Sequence, residues 1–426
     1  MKKVTVIGLG YVGLPLLTAT AKSGKYKVAG YDVNPEHIKV IKNSICPINA
    51  PVCQRELSEV NLEISSQEDV LKDTDIFVIC VPTPVFDDYT PDYSHIVEAS
   101  ELVGKYLDKE KIVIIESTVN PGVCDEIISP ELEEASGLNL YNNDFILAHC
   151  PERINPAGNP KWHLYNIARN VGAYPSNKVG EALEFYENIL DAKINPVSSL
   201  KVAEATKIVE NTFRDINIAY VNELAKSFDT MGIDLVETLE GAANKPFAFM
   251  PHWPTRGVGG HCIAVDPYYL INRAAKSGFE HKFLKMAREV NRSMPEYTVD
   301  RLKEGLSELG ISHKDSKVLL LGLSYKENMG DLRESPCLVI KKILEDEDVK
   351  LEIYDPYIPD KCTVESLEEG LKKVDAVILC TAHKEFLVLN DVAGNYNNVK
   401  VLVDGMNKLD KQKILDLGII YKGIGT

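Results

Sequence analysis

Short apolar, β-branched runs alternate along the first 120 residues with longer stretches of helical spacing. Val4–Ile7 stops at Gly8, Val28–Tyr31 at Asp32, Ile76–Val81 at Pro82, and Ile112–Ile115 at Glu116-Ser117-Thr118. Runs with no polar alternation are what strands buried on both faces of a parallel sheet look like. Leu14–Ser23, Glu36–Asn43 and His95–Tyr106 supply helices between them. Strands alternating with helices predict a doubly wound parallel sheet. The pattern returns near the C-terminus. Val318–Leu321 ends at Gly322, Leu351–Tyr354 at Asp355-Pro356, Ala376–Leu379 at Cys380, and Val401–Val403 at Asp404-Gly405. The punctuation has the same order in both regions: a strand to Gly, a strand to Asp, then a run ending in Cys (Cys80, Cys380).

The middle has another texture. Val197–Gly232 has few breakers, and Val202, Ala205, Ile208, Val209, Thr212, Ile216 and Ala219 recur at helical spacing. One helix of about 30 residues is predicted, longer than the usual globular helix, with Gly232 as its stop. Such a helix suits a spine between domains or a dimer interface. Further helical pattern covers Leu235–Ala243, Tyr268–Ser277 and Lys282–Leu309. The expected fold is therefore α/β: two Rossmann-like doubly wound domains joined by a long central helix. The expected boundaries are 1–196, a helical central region 197–310, and 311–426.

Composition changes this picture little. The 426 residues are 45% hydrophobic and 26% charged, ordinary for a globular protein of two or three domains. The net charge of −16 repels phosphate backbones and anionic lipid, which argues against nucleic-acid and membrane roles. The nine cysteines contain no CxxC pair, so neither a zinc site nor a disulfide framework is expected, and a cytoplasmic, reducing location fits. Lys2-Lys3 before the apolar stretch Val4–Ala21 imitates a secretion leader. Gly8, Gly10, Gly13 and Pro15 interrupt it, and the glycines have a better explanation.

Gly8-Leu9-Gly10-Tyr11-Val12-Gly13 is a G-x-G-x-x-G turn that follows a predicted strand and opens a predicted helix. Asp32 ends the next strand 19 residues after Gly13. That is the context of a dinucleotide site: Gly8 for the tight turn, Gly10 for approach of the pyrophosphate, Gly13 for close packing, and the helix N-terminus for phosphate charge. Asp32 would bond the ribose hydroxyls and repel a 2′-phosphate, so NAD is expected rather than NADP. FAD shares the fingerprint. Pro82-Thr83-Pro84 and Glu116-Ser117-Thr118 stand at strand C-termini, where such sheets bind ligands, and are expected to wall the crevice.

Arg256-Gly-Val-Gly259-Gly260-His261-Cys262 is the most unusual segment. Glycines beside a thiol leave room for substrate and supply N–H donors. A turn with a buried Cys, or a lone metal ligand, fits the same letters. NAD plus a nucleophilic Cys would suit aldehyde oxidation, through a thiohemiacetal that becomes a thioester and is then hydrolysed. Lys207 and Asn211 lie one turn apart on the long helix, with Arg214 following. They fit an oxyanion-and-water site or a solvated charged face. Lys326, Asp331 and Arg333 follow the Gly322 strand end, and two cations there suit a diphosphate.

Gathered together, these segments resemble one family over essentially the whole chain, the UDP-glucose/GDP-mannose dehydrogenases. The matching pieces are Gly8–Pro15, Val81–Pro84, Glu116–Val119 with Pro121-Gly122, Cys150–Ile154, Lys201–Leu224, Gly257–Pro267 and Gly322–Pro336. The resemblance implies oxidation of C6 of a nucleotide sugar with two NAD in sequence. It implies that Cys262 is the nucleophile, that Lys207 stabilises oxyanions, and that Asn211 and Asp266 position water. Glu152 becomes the base for thioester hydrolysis, and Thr118 helps hold the water. Lys326 and Arg333 become nucleotide contacts, and Arg153, Arg214, Arg256, Gly259 and His261 further substrate contacts. A UDP-sugar substrate and a homodimer or larger homo-oligomer follow. The wording around Phe213-Arg214-Asp215 and Gly259–Tyr269 looks like the branch acting on UDP-N-acetylhexosamines, with the manno epimer expected first. Two stretches depart from the family: His252–Arg256, where relatives commonly carry a Pro/Gly-rich loop, and Asn155-Pro156-Ala157-Gly158. Both are expected near the sugar. The alternatives are a UDP-glucose 6-dehydrogenase, an epimerase that retains NAD and returns the hydride, though it needs no thiol, and a non-catalytic module that senses NAD.

Overall fold

The computed structural model describes residues 1–48, 50–153, 162–260 and 262–426. The chain divides into two compact units: 1–210 with 268–278, and 211–267 with 279–426.

The first unit is built on an eight-stranded sheet of order β3-β2-β1-β4-β5-β6-β7-β8. Its strands are β1 (Lys3–Ile7), β2 (Lys27–Tyr31), β3 (Glu63–Ser65), β4 (Ile76–Ile79), β5 (Ile112–Ile115), β6 (Ile146–His149), β7 (Arg169–Tyr174) and β8 (Ile194–Pro196). β1 to β6 run parallel, and β7 turns antiparallel to β6. The chain reverses direction of winding between β1 and β4, so the ligand crevice of a doubly wound sheet opens at their C-terminal ends. Val4, Val6, Ile76, Val78, Ile112 and Ile114 fill one core, and Ile7, Phe77, Ile79, Val113 and Ile115 fill the other. Burial on both faces explains why these strands show no polar alternation.

The second unit carries five parallel strands in the order β10-β9-β11-β12-β13. They are β9 (Lys317–Leu321), β10 (Lys350–Tyr354), β11 (Ala376–Leu379), β12 (Val401–Asp404) and β13 (Ile420–Gly423). This is the shorter doubly wound order, with its switch point between β9 and β11. The two sheets and the long helix, Leu200–Met231, are the architecture the pattern predicts.

Two expectations change. The stretch 282–309 is two helices, Lys282–Arg292 and Met294–Glu308. Pro295 lacks an N–H and crowds the preceding turn, which separates them. The apolar stripe read on the long helix is buried only in part: Ile208, Thr212 and Ala219 are buried, and Ala205 and Ile216 are half-buried. Val202 and Val209 are exposed, together with Phe213 and Tyr220, while Glu204, Lys207, Asp215 and Asn222 are buried. The helix turns a polar stripe inward and part of its apolar one outward.

Candidate active site

The first βα turn is shaped by three glycines with three different reasons. Gly8 has φ +86°, a conformation L side chains avoid, and an added Cβ would stand 2.9 Å from the Cys80 carbonyl oxygen at the end of β4. At Gly13 an added Cβ would stand 1.9 Å from the Gly8 carbonyl oxygen, so the helix Gly13–Ser23 starts pressed onto the turn it follows. At Gly10 an added Cβ would meet nothing within 4 Å. The turn is closed behind and open in front. Tyr11 and Val12, both half-buried, complete it.

Asp32 sits beside this opening. Its Oδ2 accepts from Leu9 N at 2.9 Å and its Oδ1 from Asn34 N at 2.9 Å. An ionised carboxylate offers about four lone-pair positions, so both oxygens keep capacity for ribose hydroxyls. The residues fit NAD: an open glycine at a helix N-terminus for the pyrophosphate and an acid one strand over. The crevice wall is tied together by Thr83 Oγ1 donating to Thr118 O at 2.6 Å and Ser117 Oγ to Val81 O at 2.7 Å. Pro82 is exposed beside them. Tyr269 donates its hydroxyl to the Thr83 carbonyl. Glu116, expected in that wall, turns inward instead: it is 1% exposed, accepts from Tyr186 OH at 2.7 Å and pairs with Arg169 at 3.4 Å.

The start of the long helix adds a second group to the first unit. Lys207 Nζ stands 3.8 Å from Glu152 Oε2, both buried. Burial pushes the Glu152 carboxyl up to about 7, although Lys207 and Arg169 pull the other way. A carboxyl held there can accept a proton near neutral pH. Arg153, next in the chain, bonds Glu210 through Nε at 3.0 Å and Ala168 O through Nη1 at 2.8 Å. Glu204 accepts from Gly122 N at 2.6 Å and Cys124 N at 2.8 Å, which anchors the loop after Thr118 to the helix. His149 ends β6 on the long-helix side: it pairs with Gly172, whose added Cβ would press on Ser199 O and Ala203 Cβ. Desolvation and the Lys207 charge lower its pKa to about 3, so the ring is neutral.

In the second unit Cys262 is the one exposed thiol of nine. Its carbonyl accepts from Asp266 N at 2.8 Å. Asn211 donates through Nδ2 to Asp266 Oδ2 at 2.6 Å, so the helix-borne amide and the acid after the thiol form one pair. Lys326, half-buried, has its pKa lowered by desolvation and Arg214 and feels the Cys262 charge, which brings these three side chains into one electrostatic neighbourhood. Arg333 is held by Asp331, with Nη2 to Oδ2 at 2.6 Å. Gly259 packs without room for a Cβ, 2.6 Å from Glu334 O. Arg214 is exposed.

Arg256, expected among the substrate contacts, is turned into the second unit. Arg256 is 2% exposed and its guanidinium bonds Tyr325 O, Thr381 Oγ1 and Cys337 Sγ, so its role is inside the unit. His261 and the Asn155–Gly158 stretch lie outside the described residues. Sequence reading missed Glu204 and His149. A charge at 204, three residues before Lys207 on the same helical face, was the available signal for the first. Among the described residues no His/Cys/Asp/Glu group could hold a metal ion, and no helix is long and apolar enough to cross a membrane.

Comparison with known proteins agrees along the chain. Residues 2–190 match the NAD binding domain of the UDP-glucose/GDP-mannose dehydrogenase family, 201–293 its central domain and 319–411 its UDP binding domain. UDP-N-acetyl-D-glucosamine 6-dehydrogenase of Pseudomonas aeruginosa is 38% identical, over 90% of this chain and 91% of that one. The structure of a UDP-D-ManNAc dehydrogenase from Pyrococcus horikoshii superposes with a TM-score of 0.92 at 34% identity, covering 99% of both chains. An NDP-N-acetyl-D-galactosaminuronic acid dehydrogenase from Methanosarcina mazei Go1 gives 0.87 at 30% identity, over 100% of this chain and 95% of that one. The open glycine turn with its acid, the exposed thiol and the three matched domains lead to one conclusion: the chain belongs to the UDP-glucose/GDP-mannose dehydrogenase family and is an NAD-dependent dehydrogenase.

Proposed function

We propose that the protein oxidises C6 of a UDP-N-acetylhexosamine to the carboxylate, with the manno epimer as first substrate. The observation that carries the reading is Cys262, the one exposed thiol, followed by the Asp266–Asn211 pair. Support for an N-acetylhexosamine comes from the relatives above, which are named for the gluco, manno and galacto forms.

The cations Lys326 and Arg333 bind the diphosphate, and Arg214 adds charge beside them. NAD held at the Gly10 opening would supply the hydride acceptor for the two oxidations at C6, one NAD for each, with the C6 hydroxyl proton lost to water. The Cys262 thiolate adds to the C6 aldehyde, and the hemithioacetal carbon becomes a thioester carbon on losing hydride. Water then attacks that carbonyl. Glu152 takes the proton from the water, Lys207 holds the oxyanion, and Cys262 leaves as thiolate. Asn211 and Asp266 orient the water, and Thr118 helps hold it. A homodimer accompanies this reading: Val202, Val209, Phe213 and Tyr220 form an exposed apolar stripe along one helix, which a second copy would cover. Nine free thiols suit the cytosol.

The test is NADH formed per nucleotide sugar consumed, run on UDP-N-acetylmannosamine, its gluco and galacto isomers, and UDP-glucose. Two NADH with one N-acetylhexosamine is expected. One NADH, or none with all four, overturns the reading. Cys262→Ala is expected to stop acid formation with NAD affinity unchanged; acid at the wild-type rate would exclude covalent catalysis.

A further inference from the structure

The segment that leads to Cys262 begins with the buried Arg256. Burying a guanidinium costs several kcal/mol unless its donors are satisfied, and an apolar side chain would fill the space without that cost. The bonds made by Arg256 therefore say what it is for. Nη2 donates to Tyr325 O at 3.0 Å and Thr381 Oγ1 at 3.3 Å, and Nε donates to Cys337 Sγ at 3.2 Å. Its backbone N donates to Gly405 O at 2.8 Å. One residue thus grips the ends of β11 and β12 and the loop after β9.

The segment on either side is held just as closely. Thr255 N donates to Asn222 Oδ1 at 2.9 Å, and Gly260 N to Arg333 O at 3.0 Å. An added Cβ at Gly260 would stand 2.6 Å from Tyr325 Cε2. Gly259 and Gly260 therefore lie against Tyr325 and the Arg333–Glu334 backbone. Tyr325, whose carbonyl Arg256 holds, is the residue before Lys326.

We propose that Arg256 is a positioning residue that ties the loop carrying Cys262 to the loop carrying Lys326, fixing the thiol relative to the diphosphate-binding ammonium. This rests on the roles given above to Cys262 and Lys326. The tie makes occupancy of the nucleotide loop felt at the thiol.

The experiment uses full-length Arg256→Lys, which keeps the charge but cannot reach three partners, and Thr381→Val, which removes one acceptor. Four quantities are read: kcat/KM for the UDP-sugar, Kd for NAD, Tm, and the rate of Cys262 alkylation by iodoacetamide with and without UDP. Arg256→Lys is expected to lower kcat/KM about 10- to 100-fold, leave NAD Kd within about twofold, and abolish the effect of UDP on alkylation. Thr381→Val is expected to change the same two quantities in the same direction by about three- to tenfold, and it decides the matter if Arg256→Lys does not fold. A folded variant with lower Tm, wild-type kcat/KM and wild-type UDP response overturns the proposal and leaves Arg256 a packing residue. Cys262→Ala separates the two ideas: acid formation in that variant defeats the nucleophile reading, whereas the tie fails only on the UDP response of alkylation at an intact Cys262.

Discussion

The two sheets begin with the same turn and put it to different uses. Gly8 and Gly322 both have φ +86°. Gly8 N donates to Tyr31 O at 2.8 Å and Gly322 N to Tyr354 O at 3.0 Å. The next residue then bonds the acid at the end of the neighbouring strand, Leu9 N to Asp32 Oδ2 at 2.9 Å and Leu323 N to Asp355 Oδ2 at 2.7 Å. From there they diverge. After Gly8 the chain enters its helix at Gly13, past an open Gly10. After Gly322 it makes a long loop with Lys326 and Arg333 and reaches its helix only at Pro336. Asp32 keeps 12% of its side chain exposed. Asp355 is fully buried and also receives Ser324 N, Tyr357 N and His383. One acid keeps an open edge beside its turn; the other is consumed in holding its own loop.

The sharpest way to break the first turn is Gly13→Ala. Its Cβ would stand 1.9 Å from a backbone oxygen, so the helix or the turn must shift. We expect loss of several kcal/mol of stability, as for overpacking that backbone cannot relieve, and no NAD binding by calorimetry. Unchanged NAD affinity would mean the tight turn is not the cofactor cradle.

The two acids should separate stability from binding. Asp355→Asn removes a charge whose bonds are all internal, at a cost of about 2–3 kcal/mol in denaturant melts, with NAD affinity unchanged. Asp32→Asn should do the opposite, with little change in stability and NAD affinity down about 10- to 100-fold, since hydrogen bonds to a charged group are worth about 1.5–3 kcal/mol. If the two variants behaved alike, the difference in use of the two turns would be refuted.

The carboxyls also differ in sign. His383 and backbone N–H groups outweigh burial at Asp355 and hold it below the ordinary carboxylate range. Its contribution to stability is therefore present above the unfolded pKa and is lost as pH falls through the lower folded value. Burial holds Glu152 up, at about 7. A base works deprotonated, so turnover limited by thioester hydrolysis should rise with pH through about 7, roughly tenfold per unit on the acid side. Glu152→Gln should remove that limb of the profile. A flat profile from pH 5 to 8 in the wild type would take the proton transfer away from Glu152.

The strands and their ends were legible because punctuation is local: a Gly or Asp that stops an apolar run marks the C-terminal edge of a parallel sheet. The strands β3, β6, β7, β8 and β13 were not read, and the antiparallel pairing of β7 with β6 depends on contacts across the intervening chain. The long helix was legible as a helix, and its orientation only in part: Ile208, Thr212 and Ala219 are buried as read, while Val202 and Val209 are exposed. A buried stripe of Glu204, Lys207, Asp215 and Asn222 looks solvated to any rule that sends charge outward, and only tertiary partners such as Gly122 N and Arg288 reveal it. Asp355 looked like a second Asp32 because its plug, His383, lies 28 residues further on. Arg256 looked like a ligand contact because its bonds run to the far strands β11 and β12.

The smallest perturbation is the most discriminating. Gly10→Ala places a Cβ where nothing of the protein lies within 4 Å, so stability should move by no more than about 0.5–1 kcal/mol, and upward if the unfolded chain loses freedom. The same methyl stands where the pyrophosphate backbone must approach the turn. NAD affinity should fall about tenfold while the Kd for UDP, held by the other unit, stays put. A variant as stable as the wild type that binds NAD equally well would show that the opening at Gly10 is not where the cofactor lies, and would leave Asp32 as the one remaining argument for the first turn.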